Sequence, residues 1–165
     1  MSSRPHLAFI IFILFSLTTG CSKNSPRFEA AYIEMTLQDF AAKYPHAQKV
    51  AEAKGTTGVP FSVYQKEEKN RSAQYFFSEN ALVGIVVIFS GGAQFDSIVD
   101  ELTSVNGEPA SQFITEGAKT AVWKKGDYFI NMIQSTTKRE IKLPNGILHP
   151  LNPGDILLML GRKNR

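Results

Sequence analysis

The chain has one cysteine and three histidines, so chemistry that needs a thiol or several imidazoles has few atoms to work with. Cys21 has no second cysteine to pair with, which removes an intrachain disulfide. A structural zinc site would need several Cys or His ligands, and beyond residue 20 only His46 and His149 remain. Each of these adjoins a proline, Pro45 or Pro150, and so falls in a loop. A pairing of either with Asp155 or a serine is one that any chain of this size offers by chance. Asp96, Asp100 and Glu101 cluster along one stretch of helix, but they flank its apolar face instead of converging from several elements, so they read as a solvated face. Neither Gly-x-Ser-x-Gly nor His-Glu-x-x-His occurs. The segment "FSGGAQF" has two glycines without the lysine of a phosphate loop, so Gly91-Gly92 reads as a turn. These residues predict no catalytic group, no metal and no cofactor: the expectation is a protein that is not an enzyme.

The setting of Cys21 gives it a different role. Arg4 and His6 precede an apolar run from Leu7 to Leu17 in which Ser16 is the one polar position, and Thr18, Thr19 and Gly20 follow. A positive start, a short apolar centre and a small-residue exit form a secretory signal peptide over residues 1–20. A spanning helix needs about 20 apolar residues, more than this run supplies. Leu17-Thr18-Thr19-Gly20-Cys21 resembles the bacterial lipobox, in which small or aliphatic residues and then Gly or Ala precede a lipidated cysteine. Thr18 stands here where leucine is favoured. The alternatives are an ordinary secretory signal cut nearby and an uncleaved anchor. The resemblance implies that Cys21 becomes the N-terminus and carries acyl chains, palmitate among them, on sulfur and nitrogen. Two or more chains hold a protein firmly at a membrane where one does not. Ser22 replaces the Asp that retains such proteins at the inner membrane. The expected location is therefore the cell envelope, at the periplasmic side of the outer membrane.

At 165 residues the chain suits one domain with a real core, and 43% hydrophobic with 20% charged residues is an ordinary globular composition. Removing residues 1–20 takes away Arg4 alone among the charged residues, leaving 17 basic and 15 acidic and a net charge of +2. That is too small to suggest nucleic acid as a partner. The terminal "GRKNR" reads as a solubilising basic end, with anionic lipid as the alternative.

The elements that must position any site follow from periodicity. Residues 21–31 are polar and aperiodic beyond the lipidated cysteine and read as a tether. In "MTLQDFAAKYP", Thr36 is an N-cap with Asp39 three residues on; Leu37, Phe40, Ala41 and Tyr44 form an apolar face, and Pro45 ends the helix. The period then changes to that of strands around Val59, Phe61 and Val63, "AQYFF", and Ala81 to Phe89. A second helix places Phe95, Ile98, Val99, Leu102 and Val105 on one face and stops at Asn106-Gly107, with Pro109 beyond. "TAVWKKGDYFINMIQ" reads as a hairpin, and Arg139–Leu143 and Asp155–Leu160 as further strands. Placing Leu37 on Phe95 brings Phe40 onto Ile98, Ala41 onto Val99 and Tyr44 onto Leu102. The domain over 32–165 is therefore expected to be a tandem repeat, 32–90 and 93–165. Its expected class is α+β, two helix-plus-antiparallel-meander units forming one sheet layer with helices packed on one face.

The helix ending "IVDELTSVNGEP" resembles that of small envelope lipoproteins of the BamE/SmpA type, with Gly107 and Pro109 in place and Asn106 where that family has leucine. Trp123 in the following strand, the turn at Gly126, and "YFFSENALVGIVVIF" carry the same resemblance. The doubled helix-plus-meander is similar to β-lactamase inhibitory protein. The resemblance implies a non-enzymatic scaffold that binds another envelope protein, in outer-membrane assembly or as an inhibitor.

Aromatics concentrate on the strands. In "YFF" and "DYFI" adjacent rings must point to opposite sides of a sheet, and helices can cover only one of them. Tyr75, Phe77, Trp123 and Tyr128 are thus candidates for an exposed partner-binding patch. The alternative is that loops or C-terminal strands cover the second face. The expected function is a lipid-anchored, protein-binding envelope domain, with an inhibitor or immunity lipoprotein and a small envelope hydrolase as alternatives.

Overall fold

A computed structural model of the chain describes residues 25–54, 58–143, 146 and 148–162. The signal peptide and Cys21 lie outside the described residues. A short hairpin opens the described part, β1 (Arg27–Phe28) with β2 (Ala31–Tyr32), turning through Glu29 at φ 52°. Helix α1 (Leu37–Lys43) follows. Thr36 caps it, its Oγ1 accepting the Asp39 N–H at 3.1 Å, and Phe40 is its buried residue. Then come β3 (Gln48–Lys54), β4 (Pro60–Glu68), β5 (Arg71–Ser78) and β6 (Ala81–Phe89). Helix α2 (Phe95–Asn106) buries Phe95, Ile98, Val99 and Leu102, while Val105 lies half open to solvent. The chain finishes with β7 (Ser111–Thr115), β8 (Ala118–Lys125), β9 (Tyr128–Ser135), a side hairpin β10 (Arg139–Lys142) and β11 (Leu148–Leu151), and β12 (Ile156–Arg162).

Eight of these strands form one antiparallel sheet in the order β3-β4-β5-β6-β12-β9-β8-β7. This corrects the expected α+β pair of helix-plus-meander units: the described residues are mostly β, with two helices on a single large sheet. The cause is β12. Its sequence, "ILLMLGR", is apolar on both sides of the strand and nearly all buried, which suits a strand flanked by two others. It inserts between β6 and β9, pairing Leu158 with Val87 on one side and with Met132 on the other. Neither half is therefore closed by its own strands. The same finding overturns both resemblances, that of the α2 ending, Trp123, Gly126 and the β5–β6 hairpin to BamE/SmpA-type lipoproteins and that of the doubled unit to β-lactamase inhibitory protein: the strands form one eight-stranded sheet with β12 set between the halves.

One face of the sheet packs under both helices. Phe40, Tyr44, Phe95, Ile98, Val99 and Leu102 join Tyr75, Phe77, Leu82, Ile85, Trp123, Ile130, Met132, Ile156 and Leu158 in one core. The N-terminal segment joins it too. Phe28, Ala31, Ile33 and Met35 are buried there, and Ser25 is only 2% exposed. The tether expected over residues 21–31 is thus ordered and packed from Ser25 onward.

Candidate interaction surface

The proposed aromatic patch is not open to solvent. Tyr75, Phe77 and Trp123 are each 3% exposed or less. Strand parity explains this: Tyr75 and Phe77 share one side of β5, and that is the side α1 covers. Phe40 of α1 lies 4.7 Å from Tyr75 and 5.0 Å from Phe77, ring centre to ring centre. Trp123 sits beneath the C-terminal end of α2, its Nε1–H donating to the Gly107 carbonyl at 2.8 Å. That bond satisfies the indole donor inside the core and fixes the chain where α2 stops, with Gly107 at φ 80°. Tyr128 is half-buried; its hydroxyl bonds Glu34, and that carboxylate raises its pKa above the ordinary tyrosine value. These four residues therefore serve the core and its rim.

The other chemistry-bearing residues are dispersed. His46 is exposed and His149 half-buried on β11, far apart in the fold order. Asp96 pairs with Lys119 of β8 rather than with Asp100 or Glu101. Gly91 and Gly92 form a turn, at φ 76° and 90°. Among the described residues no group of three His, Cys, Asp or Glu side chains could hold a metal ion. No described helix is long and apolar enough to cross a membrane.

The second face of the sheet is where apolar surface meets solvent. The β10–β11 hairpin, with Leu143 and Leu151, covers Val63, Phe76, Val86, Ile88 and Leu157. This is the covering by C-terminal strands that the sequence left open as an alternative, and it reaches only part of the face. A register row leads from the covered part to the rest: Phe76 opposes Gly84, Gly84 opposes Gly161, and Gly161 opposes Phe129. The two glycines leave a gap in the side-chain layer that the flanking rings cover. A methyl group at Gly161 would stand 3.4 Å from the Phe129 ring, and one at Gly84 3.8 Å from the Phe76 ring. Phe61 meets Phe76 edge-on at 5.5 Å. Phe129 itself is half-buried; on the same side, Asn131 lies between it and half-buried Ile133 along β9, exposed Lys124 and half-buried Val122 lie across on β8, and exposed Phe113 lies on β7 beyond. A surface of this kind, part apolar and open beside a covered core, can bury against another protein. Sequence reasoning reached the right parity argument but named the rings on the covered side; Phe129, the neighbour of Tyr128, is the one left outward.

No family model matches the chain, and no curated protein matches it. Among solved structures it is similar to a cysteine-rich secretory protein from Staphylococcus aureus, at 10% identity over 85% of this chain and 48% of that one, with a TM-score of 0.42. The chain spans about half the length of that structure.

Proposed function

We propose that this protein is a membrane-anchored binding module of the cell envelope, held by lipid on Cys21, which engages another envelope protein through the open part of its second sheet face and performs no chemistry of its own. The observation that supports the reading most is the run from Leu7 to Leu17 ending at Gly20-Cys21. The packing of Ser25 adds to it: four residues span at most about 14 Å, so a domain anchored at Cys21 would stand close to the bilayer and meet partners that are themselves at the membrane. Half-buried Phe129, Val122 and Ile133 give such a partner an apolar surface to cover.

The test places a photo-cross-linking amino acid at Phe129 or at Ser97, on the exposed side of α2, in full-length protein expressed in cells. The expected result is one envelope protein linked from position 129, not from position 97, and lost in a Val122→Asp variant that is still folded. Equal labelling from both positions, or none from position 129, contradicts the reading.

A further inference from the structure

The sheet ends in two edge strands that are built differently. β3 carries Lys49, Glu52 and Lys54, and its register with β4 shifts between Lys49 and Ala51. Charges and bulges are the devices by which edges avoid pairing with other chains. β7 has neither. Ser111-Gln112-Phe113-Ile114-Thr115 contains no charged residue and no proline, and its register with β8 is unbroken. All five side chains are exposed, Ile114 by 76%.

The main chain of β7 is equally available. Thr115 and Ala118 flank the Glu116–Gly117 turn, and the pair that closes a two-residue turn exchanges both of its hydrogen bonds. Alternation from there turns the main-chain groups of Thr115, Phe113 and Ser111 toward β8 and those of Gln112 and Ile114 outward. The Ala110 N–H, which donates to the Val122 carbonyl at 2.7 Å beside the Ser111–Val122 pair, fits that parity. Among the described residues no strand pairs with the outer side of β7.

We propose that β7 pairs with β7 of a second copy of this chain, antiparallel, about a two-fold axis through Phe113. That register sets Ser111 against Thr115, Gln112 against Ile114, and Phe113 against itself. The outward N–H and C=O groups of Gln112 and Ile114 then bond one another across the axis. Phe113 falls at a non-hydrogen-bonded pair, where side chains approach most closely. An aromatic pair at the centre and hydroxyl pairs at the ends are favourable cross-strand combinations, and no charge meets a like charge. A different protein would have to bring a matching edge; a second copy supplies one by symmetry. The two sheets become one across the axis.

The experiment uses the full chain in detergent micelles under mild oxidation. Opposed residues of a non-hydrogen-bonded pair lie about 4.5 Å apart between Cα atoms, within disulfide range. Position 114 lies diagonal to its own copy, beyond about 7 Å, and cannot be bridged without main-chain movement. Phe113→Cys is therefore expected to give a disulfide-linked dimer, joined at position 113 of both copies by peptide mass and distinct from any link through Cys21, whereas Ile114→Cys stays monomeric. Both positions are exposed, and circular dichroism checks that the variants fold. Sedimentation of the wild type is expected to show a monomer–dimer equilibrium that Ile114→Lys abolishes. A Phe113→Cys yield no higher than wild type, equal cross-linking at 113 and 114, or a wild type that stays monomeric at all concentrations overturns the proposal.

Discussion

Asn106 holds both main-chain groups of Arg27, 79 residues away: its Oδ1 accepts the Arg27 N–H and its Nδ2 donates to the Arg27 carbonyl, each at 3.0 Å. The same Nδ2 reaches the Leu102 carbonyl at 3.1 Å, so the last residue of α2 is tied at once to its own helix and to the N-terminal segment. The side chain is 5% exposed, and water could replace none of these bonds easily. Asn106→Ala is expected to cost about 1–3 kcal/mol, the range for leaving buried groups unpaired. Denaturant unfolding measures the loss, and hydrogen exchange should show the Arg27 amide exchanging faster while the amides of β5 and β6 keep their relative protection. Unchanged exchange at Arg27 would mean that the segment is held by Phe28 and Ala31 alone.

Phe40 is the packing centre of α1. Its ring contacts those of Tyr44, Tyr64, Tyr75 and Phe77, at centroid distances from 4.7 to 5.8 Å. Phe40→Ala is expected to cost about 3–5 kcal/mol through lost transfer energy and a cavity that rigid strands cannot close. Leu102→Ala, in α2 and 1% exposed, should cost about 2–5 kcal/mol. Midpoints of chemical denaturation equal to wild type would remove these residues from the core.

Stability should fall at high pH in a way that reports on the tyrosines. Burial raises the pKa of both Tyr44 and Tyr75 above the ordinary value of 10, most strongly for Tyr75, and their rings lie 5.3 Å apart. A group whose pKa is higher in the folded state keeps its proton there after the unfolded chain has lost it. The stabilisation is thus complete below about pH 10 and declines as pH rises beyond it. Absorbance titration should show Tyr44 and Tyr75 both ionising above the ordinary value, Tyr75 after Tyr44, with Tyr75→Phe flattening the fall in stability. Ordinary titration of this pair in the native protein contradicts its burial.

Trp123, the one tryptophan, is a built-in reporter. At 1% exposure its emission should be blue-shifted, resistant to acrylamide, and shifted to the red only on global unfolding. Addition of a binding partner should leave it unchanged, because the indole lies under α2 and not on the open face. A partner-induced quench would return Trp123 to the binding surface.

Much of the local structure was legible. Thr36 with Asp39 marked the start of α1, and Asn106-Gly107 with Pro109 marked the end of α2, because caps are short-range chemistry. Periodicity located β4, β5, β6, β8, β9, β10 and β12 to within a few residues. It missed β3, β7, β11 and the β1–β2 hairpin. β3 and β7 are edges whose exposed side chains show no burial pattern to read, and "RFEAAY" is too short to show one. Sheet order was not legible. Nothing local in "ILLMLGR" says that it separates β6 from β9; only its two-sided apolar character hinted at a central place. The aromatic sites failed for a related reason. Alternation states that Tyr75 and Phe77 share a side and Phe76 takes the other, but which side the helices cover depends on tertiary packing. Asn106 is legible in the sequence only as a helix stop, since its partner at Arg27 is remote in sequence.

The anchor is the claim on which the functional reading stands, and the mass of the N-terminal peptide from membrane-purified wild-type protein tests it most directly. The expected result is a chain that begins at Cys21 and carries acyl chains, and a Cys21→Ala variant that loses this modification and leaves the membrane fraction. A wild-type chain whose Cys21 is unmodified, or one that begins elsewhere and is recovered in the soluble fraction, contradicts it.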